Sequence, residues 1–225
     1  MAKVIYHGSE RIIERPSLGA GNPRNDYGFG FYCTENPELA REWASAETRD
    51  GFVNQYSLDL TDLSILNLNG PGFHILNWLA ILLENRSFTL QSPVAVQGHK
   101  YILEHFLPDY KYDDILVGYR ADDAYFSFSR AFLDNTISLE QLGRAMRLGN
   151  LGEQFVLRSS VAFDRLHFVK ANPVDSNLFF PRKRARDREA RETYFAMMKE
   201  EPVAEAKYLV NIMNEKWEND DPRLR

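Results

Sequence analysis

Apolar residues along this chain fall into short alternating runs and longer helical patterns, and the two never settle into regular strand–helix–strand units. Lys3–His7 alternates around Val4, Ile5 and Tyr6 and reads as a short strand ending at His7-Gly8. Arg15–Tyr27 holds two prolines, two glycines, two asparagines and an aspartate, so it forms a loop. Gly28-Phe29-Gly30-Phe31-Tyr32-Cys33-Thr34 is then a β-rich run entered through glycines. Asn36 followed by Pro37 makes a good helix start. Leu39, Ala40, Trp43 and Ala44 continue at helical spacing until Gly51 ends the pattern. Val53–Leu60 alternates as a strand, and Thr61-Asp62 turns the chain.

From Gly72 to Phe106 the period becomes helical, with Ile75, Leu76, Leu79 and Leu83 on one face and a second helix from Pro93 through Leu103. Asp113–Tyr119 is a short buried-type strand, Ala121–Asn135 a helix, and Ser138 caps a further helix over Leu139–Met146. Glu153–Arg158 and Leu166–Val169 are β-like. Arg182–Arg225 is a different material, dense in Arg, Lys and Glu, and reads as a surface helix. A boundary near Pro173–Pro181 leaves a domain over 1–175, with a helical insert at about 70–106, and a charged helical C-terminal extension over 176–225. Short strands from distant parts of the chain, interrupted by helices, point to an α+β fold with a split β-sheet.

The 44% hydrophobic and 26% charged residues are an ordinary globular balance, so a sizeable core is expected. A net charge of −5 disfavours a broad nucleic-acid footprint. The single Cys33 removes an intramolecular disulfide and a multi-cysteine zinc site, which fits a reducing cytosol. The N-terminus turns polar by His7 and lacks the apolar core of a signal peptide. The longest apolar stretch, Ile75–Leu83, is broken by Asn77 and far too short to span a bilayer. The expectation is a soluble, cytoplasmic protein without membrane contact, with delivery into another cell left open.

Chemistry is suggested by combinations rather than single residues. A histidine at a strand end serves either as a structural hydrogen-bonder or as a functional group, and Gly8 beside it either turns the chain or bares its N–H and C=O to a planar carboxamide. Gly30 and Tyr32 form a glycine bend into a core strand or a close backbone approach to a ligand. Trp43 is either core or a second aromatic wall for a flat ring. Asp122 or Asp123 caps a helix, or Asp123 stands at a site rim with Arg120. His74, His99, His105 and His167 show no ligand spacing, and no metal is expected. Cys33 is expected to be buried beside Tyr32.

YHGS followed by DYGFGFYCTENPELAREWA resembles the poly(ADP-ribose) polymerase-like branch of ADP-ribosyltransferases, and the chain is similar over residues 4–172 to the bacterial family DUF3990, assigned to that fold by an H-Y-[E/D/Q] pattern. The stretch from Tyr112 to Val169 carries the same resemblance. The resemblance implies an NAD-dependent mono-ADP-ribosyltransferase with NAD as co-substrate. In it His7 would bond the adenosine-side ribose and Gly8, with Ser9 and Gly30 nearby, would hold the nicotinamide amide. Tyr32 and Trp43 would pack on the ring, while Asp123 would stand at the rim. The third catalytic position falls at Gln154, with Glu153 on the opposite face of a regular strand. Ala40 stands where the family has a small hydroxyl residue.

Gln can orient a ribose hydroxyl but adds no negative charge and is no general base, so polymer formation is not expected. Transfer of one ADP-ribose to a protein or nucleic-acid acceptor, slow NAD hydrolysis and mere NAD or ADP-ribose binding all stay open. An RNA 2′-phosphotransferase of the same superfamily would need a basic cluster facing the site, of which only Arg24 is near. Arg182–Arg191 is either a solvated face or an arm that docks a partner.

Overall fold

In the computed structural model, which describes residues 2–120, 123–148, 152–200 and 205–224 (the side chains of 123–125 apart), the alternating runs assemble into two sheets. β1 (Ala2–Ser9), β3 (Gly51–Asp59) and β7 (Leu166–Val174) form an antiparallel sheet in the order β1-β3-β7. β2 (Phe31–Cys33), β4 (Ile65–Asn67), β5 (Ile115–Tyr119) and β6 (Glu153–Leu157) form the second, in the order β2-β6-β5-β4, with β4 parallel to β5. The sheets meet where Tyr6 and Thr34 exchange backbone hydrogen bonds of 2.8 and 2.9 Å.

Period-two alternation sends Ile5, Tyr56 and Leu58 of the first sheet and Phe31, Cys33, Ile115, Val117, Phe155 and Leu157 of the second into one apolar cluster. The other face of the second sheet, Leu116 and Val156, is covered by α2 (Ile75–Asn85), α3 (Pro93–Phe106), α4 (Asp123–Leu133), α5 (Leu139–Ala145) and α8 (Leu209–Asn214). α1 (Pro37–Ala44) lies on β1 and β3, α6 (Ser160–Asp164) precedes β7, and α7 (Ser176–Met198) crosses from α1 to α4. The architecture is mixed α+β, with two open sheets and eight α-helices among the described residues.

Several boundaries depart from the sequence pattern for identifiable reasons. Gly51 does not end α1; the helix stops at Ala44, and Gly51 opens β3 where a Cβ would lie 2.1 Å from the Ala44 carbonyl oxygen. α2 buries Leu76 to Leu83 on every side rather than along one face, because the second sheet, α3 and α4 surround it. β7 runs through Pro173, which an edge strand tolerates since one row of its N–H groups has no neighbour to bond. α7 begins ahead of Pro181, capped by Asp175, whose side chain accepts from the Asn177 N–H at 2.8 Å. The expectation of a surface extension also needs revision: Leu209, Ile212 and Trp217 are fully buried in the helical core. β4, α6 and α8 were too short to show a period.

Candidate functional site

Strand register decides which polar side chains converge. Tyr32 pairs with Val156, so both share a face, and Gln154, two residues along β6, shares it too. Gln154 is only 4% exposed on this face. Glu153 projects from the opposite face, where its carboxylate accepts from Asn69 Nδ2 at 2.7 Å. Opposite Gln154 on β5 stands Gly118, where a Cβ would meet the Tyr27 hydroxyl at 2.4 Å.

His7 reaches the same place from the first sheet. Its Nδ1 lies 2.7 Å from the Tyr32 carbonyl oxygen and its ring stacks on Phe31 with centroids 4.3 Å apart. A carbonyl only accepts, so Nδ1 carries the proton and Nε2 is left as an acceptor. Desolvation by burial is the larger influence on this ring and lowers its pKa, against the bond to Tyr32, which raises it. The imidazole is therefore neutral at pH 7. Since Tyr6 turns its N–H and C=O toward Thr34, Gly8, two residues on, turns its own pair the same way, away from β3. A side chain at Gly8 would meet the Ala40 carbonyl at 2.0 Å and the Ala44 nitrogen at 2.8 Å, so only glycine lets α1 lie this close.

The Tyr32 hydroxyl donates to the Gly28 carbonyl at 2.6 Å and accepts from the Tyr27 N–H at 3.2 Å, which fixes the incoming loop. Burial raises its pKa, so the phenol stays protonated. Trp43, at the end of α1, has the Arg120 guanidinium 4.0 Å above its ring. One face of the indole is thereby occupied.

These groups line one cavity of about 860 Å³: His7, Gly8, Tyr32, Trp43 and Gln154 at one end, Lys183, Arg184, Arg188 and Arg191 of α7 along a wall, and Arg86 and Arg120 beside them. That volume lies within the roughly 300–1,000 Å³ of sites that enclose organic ligands. The lining holds six cations against three acids, Asp26, Asp187 and Glu192. Asp26 meets Arg86 at 3.2 Å and Asp187 meets Arg191 at 2.9 Å.

The structure thus brings together six residues named individually in the sequence, His7, Gly8, Tyr32, Trp43, Arg120 and Gln154, and separates others. Ser9 is outside the lining and donates to the Arg11 carbonyl at 2.6 Å. Gly30 is also outside; it lets the chain approach β6, where a Cβ would meet Val156 at 2.4 Å. Asp122 and the Asp123 side chain lie outside the described residues. Ala40 is buried under β1, and Arg24 is exposed and outside the lining, its carbonyl accepting from Arg86 Nη1 at 3.2 Å. Cys33 is fully buried and its thiol pKa is pushed well up, so it supplies no thiolate.

Sequence reasoning missed Asn54, whose fully buried amide accepts from the Ile13 N–H at 2.9 Å and donates to Ser9 Oγ at 3.0 Å, pinning the chain that leaves β1. It also assigns Arg182–Arg191 to a solvated face or a docking arm and not to the cavity, although Lys183, Arg184, Asp187, Arg188 and Arg191 recur at helical spacing. No group of three or more His, Cys, Asp or Glu is arranged to hold a metal ion among the described residues, and no described helix is long and apolar enough to cross a membrane.

Searches of curated proteins and of solved structures gave no match. The family model described as "Protein of unknown function (DUF3990)" matches residues 3–168, most of the chain. This chain belongs to the DUF3990 family.

Proposed function

We propose that the cavity binds NAD and that the protein is a mono-ADP-ribosyltransferase, moving ADP-ribose to a protein or nucleic-acid acceptor with release of nicotinamide. The observation that carries this reading is the convergence of His7, Gly8, Tyr32, Trp43 and Gln154 at one end of a cavity whose wall is cationic. The neutral His7 offers Nε2 to a ribose hydroxyl, and the Gly8 N–H and C=O suit the carboxamide of nicotinamide. Tyr32 and Trp43 give the flat ring its contacts.

In the reaction the bond between the ribose C1′ and the pyridinium nitrogen breaks and its electron pair leaves with nicotinamide. The sugar passes through an oxocarbenium-like state. The acceptor then bonds to C1′ and loses its proton to water. Gln154 orients the 2′-hydroxyl without contributing charge, so transfer is slow and stops after one unit.

A second reading is motivated by Gln154 itself: an amide in place of a carboxylate suits a module that binds NAD or ADP-ribose without turnover. The α7 cations also answer the requirement of a 2′-phosphotransferase, in which the 2′-phosphate of an RNA would displace nicotinamide from NAD, so that release would depend on added 2′-phosphorylated RNA. Incubation with NAD, following nicotinamide release in the wild type, Gln154→Ala and Glu153→Ala, separates these. Release abolished by Gln154→Ala and kept in Glu153→Ala supports the transferase. NAD binding without release supports the module, and absence of both overturns the NAD reading.

A further inference from the structure

The family match ends at residue 168, whereas the cationic wall of the cavity comes from α7, which begins at Ser176. α7 is held at both ends by contacts that leave one stripe for the cavity. Near its start Phe179 is buried among Ala40, Ala44, Val53 and Val174. Arg186 bonds both carboxylate oxygens of the buried Glu42, at 3.0 and 2.9 Å, and Arg182 reaches Glu38 at 3.5 Å. Near its end Tyr194 stacks on Phe128 with centroids 4.0 Å apart. Phe180, Lys183, Arg184, Arg188 and Phe195 are then turned to the cavity.

Lys183, Arg184 and Arg188 stand outside the ion pairs that engage Arg182, Arg186 and Arg191 with acids. Six cations against three acids leave the lining net positive, which costs the fold self-repulsion. Phe195 lines the cavity rim yet is 62% exposed, a large apolar ring left in water. It follows Arg188 by two helical turns, about 10 Å.

We propose that α7 is the nucleotide-binding half of the site: Lys183, Arg184 and Arg188 hold a diphosphate, and Phe195 stacks the attached base. The assignment rests on the reading of the cavity as a dinucleotide site, and it adds that the segment beyond the family-matched region is required for binding. Guanidinium and ammonium groups form charge-assisted bonds to phosphate oxygens, and a purine stacks on an exposed aromatic face.

The test is calorimetric titration of the full chain with ADP, inorganic pyrophosphate and NAD at low and moderate salt. The variants are Lys183→Gln/Arg184→Gln/Arg188→Gln, Phe195→Ala, and a control that loses equal charge elsewhere, Lys100→Gln/Lys111→Gln/Arg165→Gln. Lys183 and Arg165 are half-buried and the other substituted positions exposed, and a thermal melt checks that each variant folds. The wild type is expected to bind ADP with an affinity that falls with salt. The α7 triple variant should bind ADP and pyrophosphate at least about tenfold more weakly, and the control should match the wild type. Phe195→Ala should weaken ADP but leave pyrophosphate unchanged.

ADP binding that is unaltered by the α7 triple variant, equally weakened by the control, or undetectable in the wild type overturns the proposal. So does a triple variant that loses affinity for a single-stranded oligonucleotide but keeps it for ADP. If ADP binding depends on α7 while no nicotinamide is ever released, the nucleotide site stands and the transferase reading falls. If nicotinamide is released with an unchanged KM for NAD in the triple variant, the reverse holds.

Discussion

His7 donates from Nδ1 to the carbonyl of Tyr32 at 2.7 Å, a bond that ties the two sheets together beside the backbone bridge between Tyr6 and Thr34. It links stability and function, because it fixes the ring that would meet the ribose. His7→Ala removes the bond and the stacking on Phe31, and should lower unfolding free energy by about 1–3 kcal/mol in urea titrations. The same variant should abolish label transfer from NAD. Full transfer by a folded His7→Ala protein would remove the histidine from the mechanism.

Protonation of this ring should be visible in pH-dependent stability. Burial favours the neutral imidazole, so the folded-state pKa lies below the ordinary 6.5. Above about 6.5 both folded and unfolded rings are neutral and the contribution is complete. As pH falls below that value the unfolded chain takes up the proton first, and stability declines until the folded-state pKa is passed. His99 is lowered by burial too and adds a slope of the same sign. The difference between wild type and His7→Gln therefore isolates His7, and an NMR titration should place its pKa under 6.5.

Gln154 and Glu153 offer a matched pair of opposite outcomes. Gln154→Glu places a carboxylate where positive charge would develop on the ribose, and should raise the rate of nicotinamide release about tenfold or more. Glu153→Gln alters a group bonded to Asn69 on the other face, and should leave that rate within about twofold. A gain from neither, or a loss from the second, would reverse the assignment of the two neighbours.

Gly8 should tolerate no side chain. A Cβ there falls 2.0 Å from the Ala40 carbonyl and 2.8 Å from the Ala44 nitrogen, both backbone atoms that move only with α1. Gly8→Ala is expected to cost more than about 2 kcal/mol, read as a lowered urea midpoint at unchanged slope.

The anchoring of α7 can be loosened at its charged contact. Glu42 is 4% exposed and bonded twice by Arg186. Glu42→Gln keeps the shape and removes the charge that the Arg186 guanidinium bonds twice. A loss of about 1–2 kcal/mol is expected, with faster protease cleavage within α7 than elsewhere. Cleavage that stays uniform along the chain would mean that Phe179 and Tyr194 hold the helix without this pair.

Local chemistry in the sequence was enough for the α+β class, most strands and the capped helices. Asn36 caps α1 through its own side chain, and Ser138 and Gln141 form a reciprocal cap on α5, interactions that need no distant partner. The alternation in β6 placed Gln154 and Glu153 on opposite faces, as period-two geometry requires. The family resemblance brought His7, Tyr32 and Trp43 into one view. Only the tertiary structure decided the rest. Whether Gly8, Gly30 or Gly118 faces a ligand or a neighbouring chain depends on what packs there, and packing partners carry no local signal. The charges of α7 read as a solvated face or a docking arm because helical periodicity states which residues share a stripe but not what the stripe confronts. Phe179, Tyr194 and the Glu42–Arg186 contact turn that stripe inward, and with it the cavity acquires its positive wall.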